Sequence, residues 1–221
     1  AEAIALFDAD HAPARRFLVE TLGYFRDTGV GFVQTPLDFY HLDSFAHRRE
    51  GARRLVWTDR SLFFRVIQRG RDWRGAAVLC GSCAVIRRSA LDSVGGFAAS
   101  TATEELHTSL KLHKRGYRSV YHARSLAFGL APTGVATFVR QRMRAGLGAM
   151  QVWRRERILT SRRLTAAQKL CYFAQLAGYF DGWAKAVLYF APVVVLAKGV
   201  LPFAAPAEDF PAFIVNRILL P

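Results

Sequence analysis

Cysteine and acidic residues are both scarce in this chain of 221 residues. The three cysteines, Cys80, Cys83 and Cys171, are too few and odd in number to build a disulfide framework, and they favour a reducing compartment. Asp and Glu number 17 against 31 Lys and Arg, which gives a formal net charge of +14. The sequence therefore predicts an anionic partner: a nucleotide diphosphate, a nucleic acid or an anionic lipid surface.

Several common ligand-binding motifs are also missing. The sequence contains no glycine-rich G-x-G-x-x-G turn and no phosphate-binding P-loop, and its six histidines show no metal-ligand spacing. Cys80 and Cys83 have no second cysteine pair with which to hold zinc. An apolar content of 52% without low-complexity tracts excludes a disordered or collagen-like chain. We therefore expect a folded chain with a buried core.

The part of the chain before residue 140 has the pattern of an α/β fold. Short apolar runs alternate with longer segments of helical period. The predicted strands are residues 4–7, 31–34, 76–80, 84–86 and 119–122. The clearest helix is residues 104–115, with Thr103 as its N-cap and Gly116 as its C-terminal stop. Strands that alternate with helices predict an open, mainly parallel sheet with its ligand at the strand ends.

The basic charge is concentrated immediately before an apolar region. Between residues 140 and 169, nine Lys and Arg stand against a single acid, Glu156. Residues 182–203 then form an apolar segment of 22 residues, which matches the roughly 20 residues that a membrane helix needs. A basic flank before such a segment belongs on the cytoplasmic side. The alternative is a buried hairpin of a large soluble protein.

Two further apolar segments flank this predicted span. Residues 170–180 are too short to cross a bilayer and predict an interfacial or packed helix. Residues 207–221 predict the start of a second membrane helix. Because the basic cluster adjoins an apolar span instead of a face of stacking aromatics, the sequence disfavours a nucleic-acid partner.

A pair of carboxylates follows the first predicted strand. Asp8 and Asp10 are two residues apart, so in an extended chain both side chains point the same way. Two carboxylates with open positions suit Mg²⁺ or Mn²⁺ bridged to a diphosphate. The alternative is a solvated turn that binds nothing.

Two other charged groups are candidates for chemistry. Glu104 and Glu105 open the predicted helix, where one of them can act as a general base or both can simply favour the helix dipole. Gln141, Arg142 and Arg144 precede the apolar region. Their guanidinium groups can clamp a diphosphate, or their charge can serve contact with lipid.

The order of the motifs is more specific than any one of them. Six short motifs follow one another: Asp8-Ala9-Asp10-His11, Gln34-Thr35-Pro36, Val66-Ile67-Gln68-Arg69-Gly70, Cys80-Gly81-Ser82, Thr103-Glu104-Glu105 with His107-Thr108, and Gln141-Arg142-Met143-Arg144. In this order the chain resembles the processive family 2 glycosyltransferases, in particular the bacterial cellulose synthase catalytic subunits. The likeness covers essentially the whole chain.

The resemblance implies roles for individual residues. The divalent ion would be held by Asp8 and Asp10. The positions that bind UDP would be Asp8, Asp10, Gln141, Arg142 and Arg144. The acceptor-sugar contact would be Cys80, Gly81 and Ser82. The family's T-E-D motif falls on Glu104 and Glu105, of which Glu105 is the catalytic base.

The implied reaction inverts the sugar's anomeric configuration. An acceptor hydroxyl attacks the anomeric carbon opposite UDP, and Glu105 takes its proton. A bound Mg²⁺ or Mn²⁺, with Arg142 and Arg144, offsets the charge that grows on the diphosphate. By resemblance, the product is a β-linked, cellulose-like glucan made from UDP-glucose.

Two positions depart from the family pattern. Glu105 stands where the family has Asp, and a displacement of about 1 Å at a reacting group can cost on the order of a hundredfold in rate. Ala145 stands where the family has Trp, which removes an apolar face for the acceptor sugar. The alternatives are a synthase of another β-glycan (chitin-like, hyaluronan-like or mixed-linkage) and a degenerate subunit that binds sugar nucleotides without turnover.

The resemblance also implies an architecture and a location. Residues 1–139 would be part of a cytoplasmic glycosyltransferase domain of the GT-A type, residues 140–180 basic interfacial helices, and residues 181–221 a transmembrane helix and the start of a second one. The expected location is a bacterial inner membrane, with export of the polymer through the protein's own channel. Expected partners are the UDP-sugar, the nascent polysaccharide, the lipid bilayer and a periplasmic or membrane subunit. The chain is expected to be a fragment that is inactive alone.

Overall fold

A computed structural model describes residues 1–40, 48–50, 54–56 and 59–198 of the chain. The strands are β1 (Ala3–Leu6), β2 (Ala12–Pro13), β3 (Val30–Gln34), β4 (Asp38–Phe39), β5 (Arg48–Glu50), β6 (Arg54–Val56), β7 (Ala84–Arg87), β8 (Arg118–Tyr121) and β9 (Ala127–Gly129). The helices are α1 (Phe17–Thr21), α2 (Asp59–Leu62), α3 (Gln68–Asp72), α4 (Arg88–Ser93), α5 (Glu104–Lys114), α6 (Val135–Arg155), α7 (Ala166–Ala177) and α8 (Asp181–Lys198). Single turns of 3-10 helix lie at Leu22–Arg26 and Gly178–Phe180, and a π-helical turn, Phe63–Ile67, joins α2 to α3.

The first of two compact units, Ala1–Tyr179, is built on a four-stranded sheet in the order β1-β7-β3-β8. All five residues of β3 are buried. Phe32 of β3 and Ile4 of β1 lie opposite Ile86 of β7, one on each side. Strands covered on both faces are apolar without alternation, so short apolar runs predict them. Four of the five predicted strands are confirmed, by β1, β3, β7 and β8.

The prediction of a mainly parallel sheet is wrong. In this sheet β7 runs antiparallel to both β1 and β3, and of its described strands only β3 and β8 run parallel. The fifth predicted strand, residues 76–80, joins no ladder, because side chains bond its buried backbone instead. Gln68 bonds both the N–H and the carbonyl of Val78, and Ser109 Oγ accepts from the Leu79 N–H. The chain then reverses, so β7 enters the sheet in the opposite direction.

Two smaller sheets complete the described strands. β9 pairs with β2 antiparallel and with β4 parallel, and β5 and β6 form a separate antiparallel hairpin. In the three-stranded sheet, β2 follows β1 closely in sequence and β4 follows β3 closely. This sheet therefore lies next to the carboxyl ends of β1 and β3. It therefore adjoins the segment that carries the first carboxylate motif.

Helices α5, α6 and α7 form the other half of the core. They bury one apolar cluster: Val78, Leu106, Leu110, Ala149, Val152, Ile158, Leu164, Tyr172 and Leu176. Segment 170–180, predicted as interfacial or packed, places Tyr172 and Leu176 in this cluster, both without exposure. His113 of α5 is hydrogen-bonded to the Tyr172 hydroxyl at 2.7 Å, and burial lowers the pKa of His113 to about 3. The imidazole is therefore neutral at physiological pH and serves packing.

The ends of α5 follow the sequence signals only in part. Gly116 follows the helix with a φ of +97°, which confirms the predicted stop, since glycine adopts the left-handed region without strain. Thr103 occupies the N-cap position but its side chain makes no capping bond. Thr103 is also packed closely against α6, since a Cβ at Gly148 would lie 2.5 Å from the Thr103 backbone nitrogen. The start of α5 is thus pressed against α6 where only glycine fits.

The second unit, Phe180–Pro221, is described up to Lys198 and contains α8. Its large apolar side chains, among them Trp183, Tyr189 and Phe190, are mostly exposed. Within the described residues, no helix combines the length and the apolar character that a bilayer crossing requires. The predicted span 182–203 lies partly outside the described residues, and the predicted second helix at 207–221 lies wholly outside them.

Gly148→Ala should destabilise the first unit. The added methyl meets the Thr103 backbone, which cannot move without shifting the start of α5, so we expect a loss of about 1–3 kcal/mol in unfolding free energy. Thermal or denaturant unfolding of the purified protein measures this. The matched control is Gly23→Ala, because nothing lies within 4 Å of a Cβ at Gly23. Equal stability of the two variants would contradict the close packing of α5 on α6.

Candidate functional site

A loop at residues 80–83 forms the centre of the site. Two of its residues have positive φ, Gly81 at +90° and Cys83 at +57°. Gln34, fully buried at the end of β3, holds the loop: its Oε1 accepts from the Cys80 N–H at 2.8 Å, and its Nε2 donates to the carbonyls of Ser82 at 2.8 Å and Cys83 at 3.3 Å. One side chain therefore bonds both ends of the reversal and stabilises this loop conformation.

Glu105 lies against this loop. A Cβ at Gly81 would be 3.4 Å from Glu105 Oε1, so the carboxylate borders the glycine directly. Glu105 is half-buried, whereas Glu104 is exposed. Burial raises the pKa of Glu105; the charges of Glu104 and Asp8 raise it further, and Arg144 opposes them. A carboxyl with a raised pKa beside a cleft is a candidate general base.

Asp8 connects the carboxylate motif to the same loop. Its backbone N–H donates to Ser82 Oγ at 3.0 Å. The ligand atoms of Asp8, Asp10 and His11 all lie within 4.8 Å of one another. The turn that brings them together is closed by the His11 N–H, which donates to the Asp8 carbonyl at 3.0 Å. Asp8 thus belongs both to a cluster of metal-ligand type and to the loop that Glu105 borders.

His11 is a site residue that the sequence reasoning missed, and the expectation that no histidine has metal-ligand spacing is wrong for it. Its ring is 3% exposed and its Nδ1 is hydrogen-bonded to Asp10 Oδ1 at 3.1 Å. Its Nε2 is buried without a hydrogen-bond partner among the described residues. Gly129 makes room for the ring, since a Cβ there would lie 2.6 Å from it. The sequence signal that could have identified His11 is its position directly after Asp10.

The donor set of this cluster fits a divalent ion. Two carboxylates and one imidazole supply oxygen and nitrogen ligands, and such a set with open positions suits Mn²⁺ or Mg²⁺. The unpartnered imidazole nitrogen is consistent with a ligand, because buried polar atoms are normally paired. Asp8, Asp10 and His11 are therefore the residues that would hold the ion.

Helix α6 brings the arginines of the basic motif to the site. Arg144 Nε donates to the Ala102 carbonyl at 3.3 Å, just before α5, and its charge acts on Glu105. Arg142 packs over the Phe138 ring at 5.3 Å. Gln141 is exposed on the same helix. The predicted residues Arg144, Glu105, Gly81 and Asp8 thus lie near one another at the 80–83 loop.

Tyr179 is a second residue that the sequence did not single out. A Cβ at Gly146 of α6 would lie 3.4 Å from its ring, and 43% of its surface is exposed. Burial raises the pKa of the Tyr179 hydroxyl; Arg142 opposes the shift and Glu105 adds to it. An accessible aromatic ring therefore lies near both the candidate base and an arginine of the basic motif.

The two cysteines of the loop are inert. Burial raises the pKa of Cys80 to about 12 and that of Cys83 to about 11, so both are thiols at neutral pH. All three cysteines are free. Gln68 Nε2 also contacts Cys80 Sγ at 3.4 Å. The sulfur of Cys80 therefore lines the loop as a small apolar group and does not act as a nucleophile.

An ionic contact fixes α5 against the end of α6. His107, two residues after Glu105, is hydrogen-bonded through Nε2 to Glu156 at 2.8 Å, and Lys114 pairs with the other oxygen of that carboxylate. The hydrogen bond from His107 is the main reason that the pKa of Glu156 falls to about 2, with Lys114 adding to it. The helix that carries Glu105 is therefore tied to the helix that carries Arg144.

Comparison with known proteins adds the family context. The profile of the glycosyl transferase family group 2 matches residues 3–210. The chain is 37% identical over 219 residues to a cellulose synthase catalytic subunit (UDP-forming) of Pseudomonas fluorescens (strain SBW25), covering 99% of this chain and 30% of that protein. It is 42% identical over 180 residues to the subunit of the same name in Xanthomonas axonopodis pv. citri (strain 306), covering 81% of this chain and 25% of that protein. The chain thus spans under a third of these relatives.

A solved structure shares the fold. A mannosyltransferase from Pyrobaculum calidifontis, solved in complex with GDP-Man and Mn²⁺, superposes with a TM-score of 0.64 at 20% identity, covering 98% of this chain and 56% of that one. At this identity the likeness concerns the fold alone. The chain has a GT-A-like glycosyltransferase fold of mixed α/β content.

Removing ligands of the acidic cluster should weaken binding of a divalent ion. Asp8→Asn and His11→Gln should each lower the affinity for Mn²⁺ by at least about tenfold, because each removes one of three protein ligands. Titration of the purified protein followed by electron paramagnetic resonance of free Mn²⁺ measures this. Asp92→Asn, which neutralises an exposed carboxylate elsewhere, should leave the affinity unchanged. The metal site is refuted if Asp8→Asn and His11→Gln both bind Mn²⁺ as tightly as the unmodified protein does.

Proposed function

Because this chain belongs to the glycosyl transferase family group 2, we propose that the whole protein is an inverting, processive glycosyltransferase that polymerises a cellulose-like β-glucan from UDP-glucose. One observation carries the proposal: Glu105 borders Gly81 while Asp8 is hydrogen-bonded to Ser82, so a base and a metal-type carboxylate meet on one loop. An inverting transfer needs this pair of functions on either side of the reacting sugar.

The donor side consists of the acidic cluster and α6. Asp8, Asp10 and His11 would hold Mg²⁺ or Mn²⁺, which when bound supplies positive charge to the leaving diphosphate. Arg142 and Arg144 would bind the phosphate oxygens, for which the guanidinium fork is suited. Gln141, exposed on the same helix, completes the set that binds UDP.

The acceptor side consists of the loop and the base. Glu105 takes the proton from the attacking hydroxyl, and its raised pKa makes it a stronger base than an ordinary glutamate. The loop residues Cys80, Gly81 and Ser82 contact the acceptor sugar. The accessible ring of Tyr179, near Glu105, offers an apolar face on which a sugar ring can stack.

A second candidate keeps the fold and changes the product. Ala145 on α6 presents no ring to the acceptor, which favours a different acceptor or linkage: a chitin-like, hyaluronan-like or mixed-linkage glycan. Ala145, together with Glu105 in place of Asp, is also compatible with a catalytically degenerate subunit that binds sugar nucleotides without turnover. These readings differ in donor and in turnover, so one assay separates them.

We also propose that the protein acts at a bacterial inner membrane, with this domain on the cytoplasmic side and the polymer exported through the protein's own channel. The support is the basic region 140–169 followed by α8, whose large apolar side chains are mostly exposed. The partners are then the UDP-sugar, the nascent polysaccharide, the lipid bilayer and a periplasmic or membrane subunit.

The full-length protein should incorporate sugar from UDP-glucose. Inverted membrane vesicles are offered radiolabelled UDP-sugars separately with Mg²⁺, and the high-molecular-weight product is digested with linkage-specific hydrolases. We expect label from UDP-glucose in a polymer that cellulase degrades. Polymer made from another UDP-sugar would contradict UDP-glucose as the donor and would support the synthesis of another β-glycan. No incorporation from any donor would overturn the enzymatic proposal in favour of a binding subunit.

Glu105→Gln in the full-length protein should abolish transfer without abolishing UDP binding. The amide keeps the shape but cannot accept the proton, so we expect a rate loss of about 10²–10⁴-fold. Glu2→Gln, which neutralises an exposed glutamate at the end of β1 opposite to Asp8, is the matched control.

The same base sets the pH profile. Because burial raises the pKa of Glu105, transfer should decline on acidification at a higher pH than the roughly 4.3 of an unperturbed glutamate. Glu105→Asp should shift this acid limb and Glu2→Gln should not. Retained turnover in Glu105→Gln, with an unshifted profile, would exclude Glu105 as the base.

A further inference from the structure

Arg60 on α2 is a cation that the proposed mechanism does not use. Its guanidinium carbon lies 4.3 Å from the centroid of the Phe39 ring and 5.9 Å from that of Phe64. Its Nε is buried and has no hydrogen-bond partner within the described ranges. None of the ion pairs found there includes Arg60. Among the residues that the structure describes, the side chain is therefore held by aromatic rings and not by a counter-charge.

Arg60 borders the same loop as Glu105 and Asp8. Phe64, over which Arg60 lies, packs in one cluster with Cys83 and Cys80. The charge of Arg60 opposes the rise that burial causes in the pKa of both thiols; Glu105 acts on Cys80, and Asp8 acts on Cys83. The loop thus has an acid near each end and Arg60 near both.

Asp38, the carboxylate that acts on Arg60 within the described residues, does not form an ion pair with it. Asp38 raises the pKa of Arg60 through space, but burial lowers it by more, and the charge of Arg142 also lowers it. The Asp38 carboxylate instead accepts a hydrogen bond from Ser125 Oγ. A guanidinium stays protonated in proteins, and a half-buried one without an ion pair is costly to keep. The rings of Phe39 and Phe64 offset part of that cost.

We propose that Arg60 binds an anionic group, a phosphate or a carboxylate, of the ligand that occupies the cleft beside residues 80–83. This inference rests on the proposed function, which places a sugar nucleotide and a glycan in that cleft. Two sources can supply the anion: the diphosphate of the donor, or an acidic substituent on the acceptor glycan. An arginine fork binds either with two parallel hydrogen bonds.

The test compares three variants of the full-length protein in membrane vesicles. Arg60→Gln removes the charge, Arg60→Lys restores it without the fork, and Arg65→Gln removes an exposed arginine one turn away as the matched control. The KM values are measured for UDP-glucose, for a neutral β-glucan oligosaccharide and for the same oligosaccharide carrying a glucuronate. Direct titration with UDP and with the acidic oligosaccharide gives the dissociation constants without turnover.

We expect Arg60→Gln to raise at least one anion-dependent constant by about tenfold or more, which is the loss of one charge-assisted hydrogen bond, with partial recovery in Arg60→Lys. A rise for UDP and UDP-glucose identifies the diphosphate; a rise for the acidic acceptor alone identifies the carboxylate. The inference is overturned if Arg60→Gln matches Arg65→Gln in every constant, or if it lowers only the melting temperature. Absence of transfer with Arg60-dependent UDP binding would refute the proposed function and leave this inference standing.

Discussion

The side-chain amide of Gln34 is the contact on which the site depends. It sits at the end of a strand buried on both faces and bonds the loop where the chain reverses between residues 80 and 83. Without it, the Cys80 N–H and the Ser82 carbonyl would lose their partner, at a cost of about 1–3 kcal/mol each, whereas the Cys83 carbonyl also accepts from Thr35. The loop in turn carries Gly81, against which Glu105 rests, and Ser82, to which Asp8 donates. One buried amide therefore sets the positions of the two acids.

A second constraint fixes α5 and α6, the two helices that carry Glu105 and Arg144. Gly148 lets α6 approach the start of α5 at Thr103, and the carboxylate of Glu156 joins His107 and Lys114 at the far end of the same contact. Thr103 and His107 lie at the start of α5 and Lys114 at its end, so the helix is held against α6 along its length. Because Glu105 and Arg144 are on the two helices, their electrostatic relation follows from packing and not from a direct bond.

The sequence predicts this fold where the signal is local. Apolar runs identify four core strands, and Gly116 marks a helix end because its φ of +97° suits glycine. The sequence-based prediction fails where the hydrogen-bonding partners are distant in sequence. Residues 76–80 are as apolar as a strand, but the side chains of Gln68, Gln34 and Ser109 bond their backbone. The direction of β7 follows because side chains replace strand pairing at residues 76–80 and the chain then reverses. No local sequence pattern predicts this reversal.

The residues of the candidate site, like the elements of the fold, are predicted from the sequence only in part. The acids and arginines are found in the sequence by the order of their motifs, and the structure brings Asp8, Glu105 and Arg144 around one loop. His11 and Arg60 escape this reading, because a histidine next to an aspartate and an arginine in a short helix are ordinary in sequence. Only burial makes them unusual: each keeps a polar nitrogen without a partner among the described residues.

The longer arm of Glu105 is accommodated where it meets the loop. The family's aspartate would end one methylene short, and the added length brings Oε1 within van der Waals distance of a Cβ position that Gly81 leaves empty. A Cβ at residue 81 would touch that carboxylate, and the φ of +90° disfavours residues other than glycine. Glycine at this position therefore permits the reversal of the chain directly beside the candidate base.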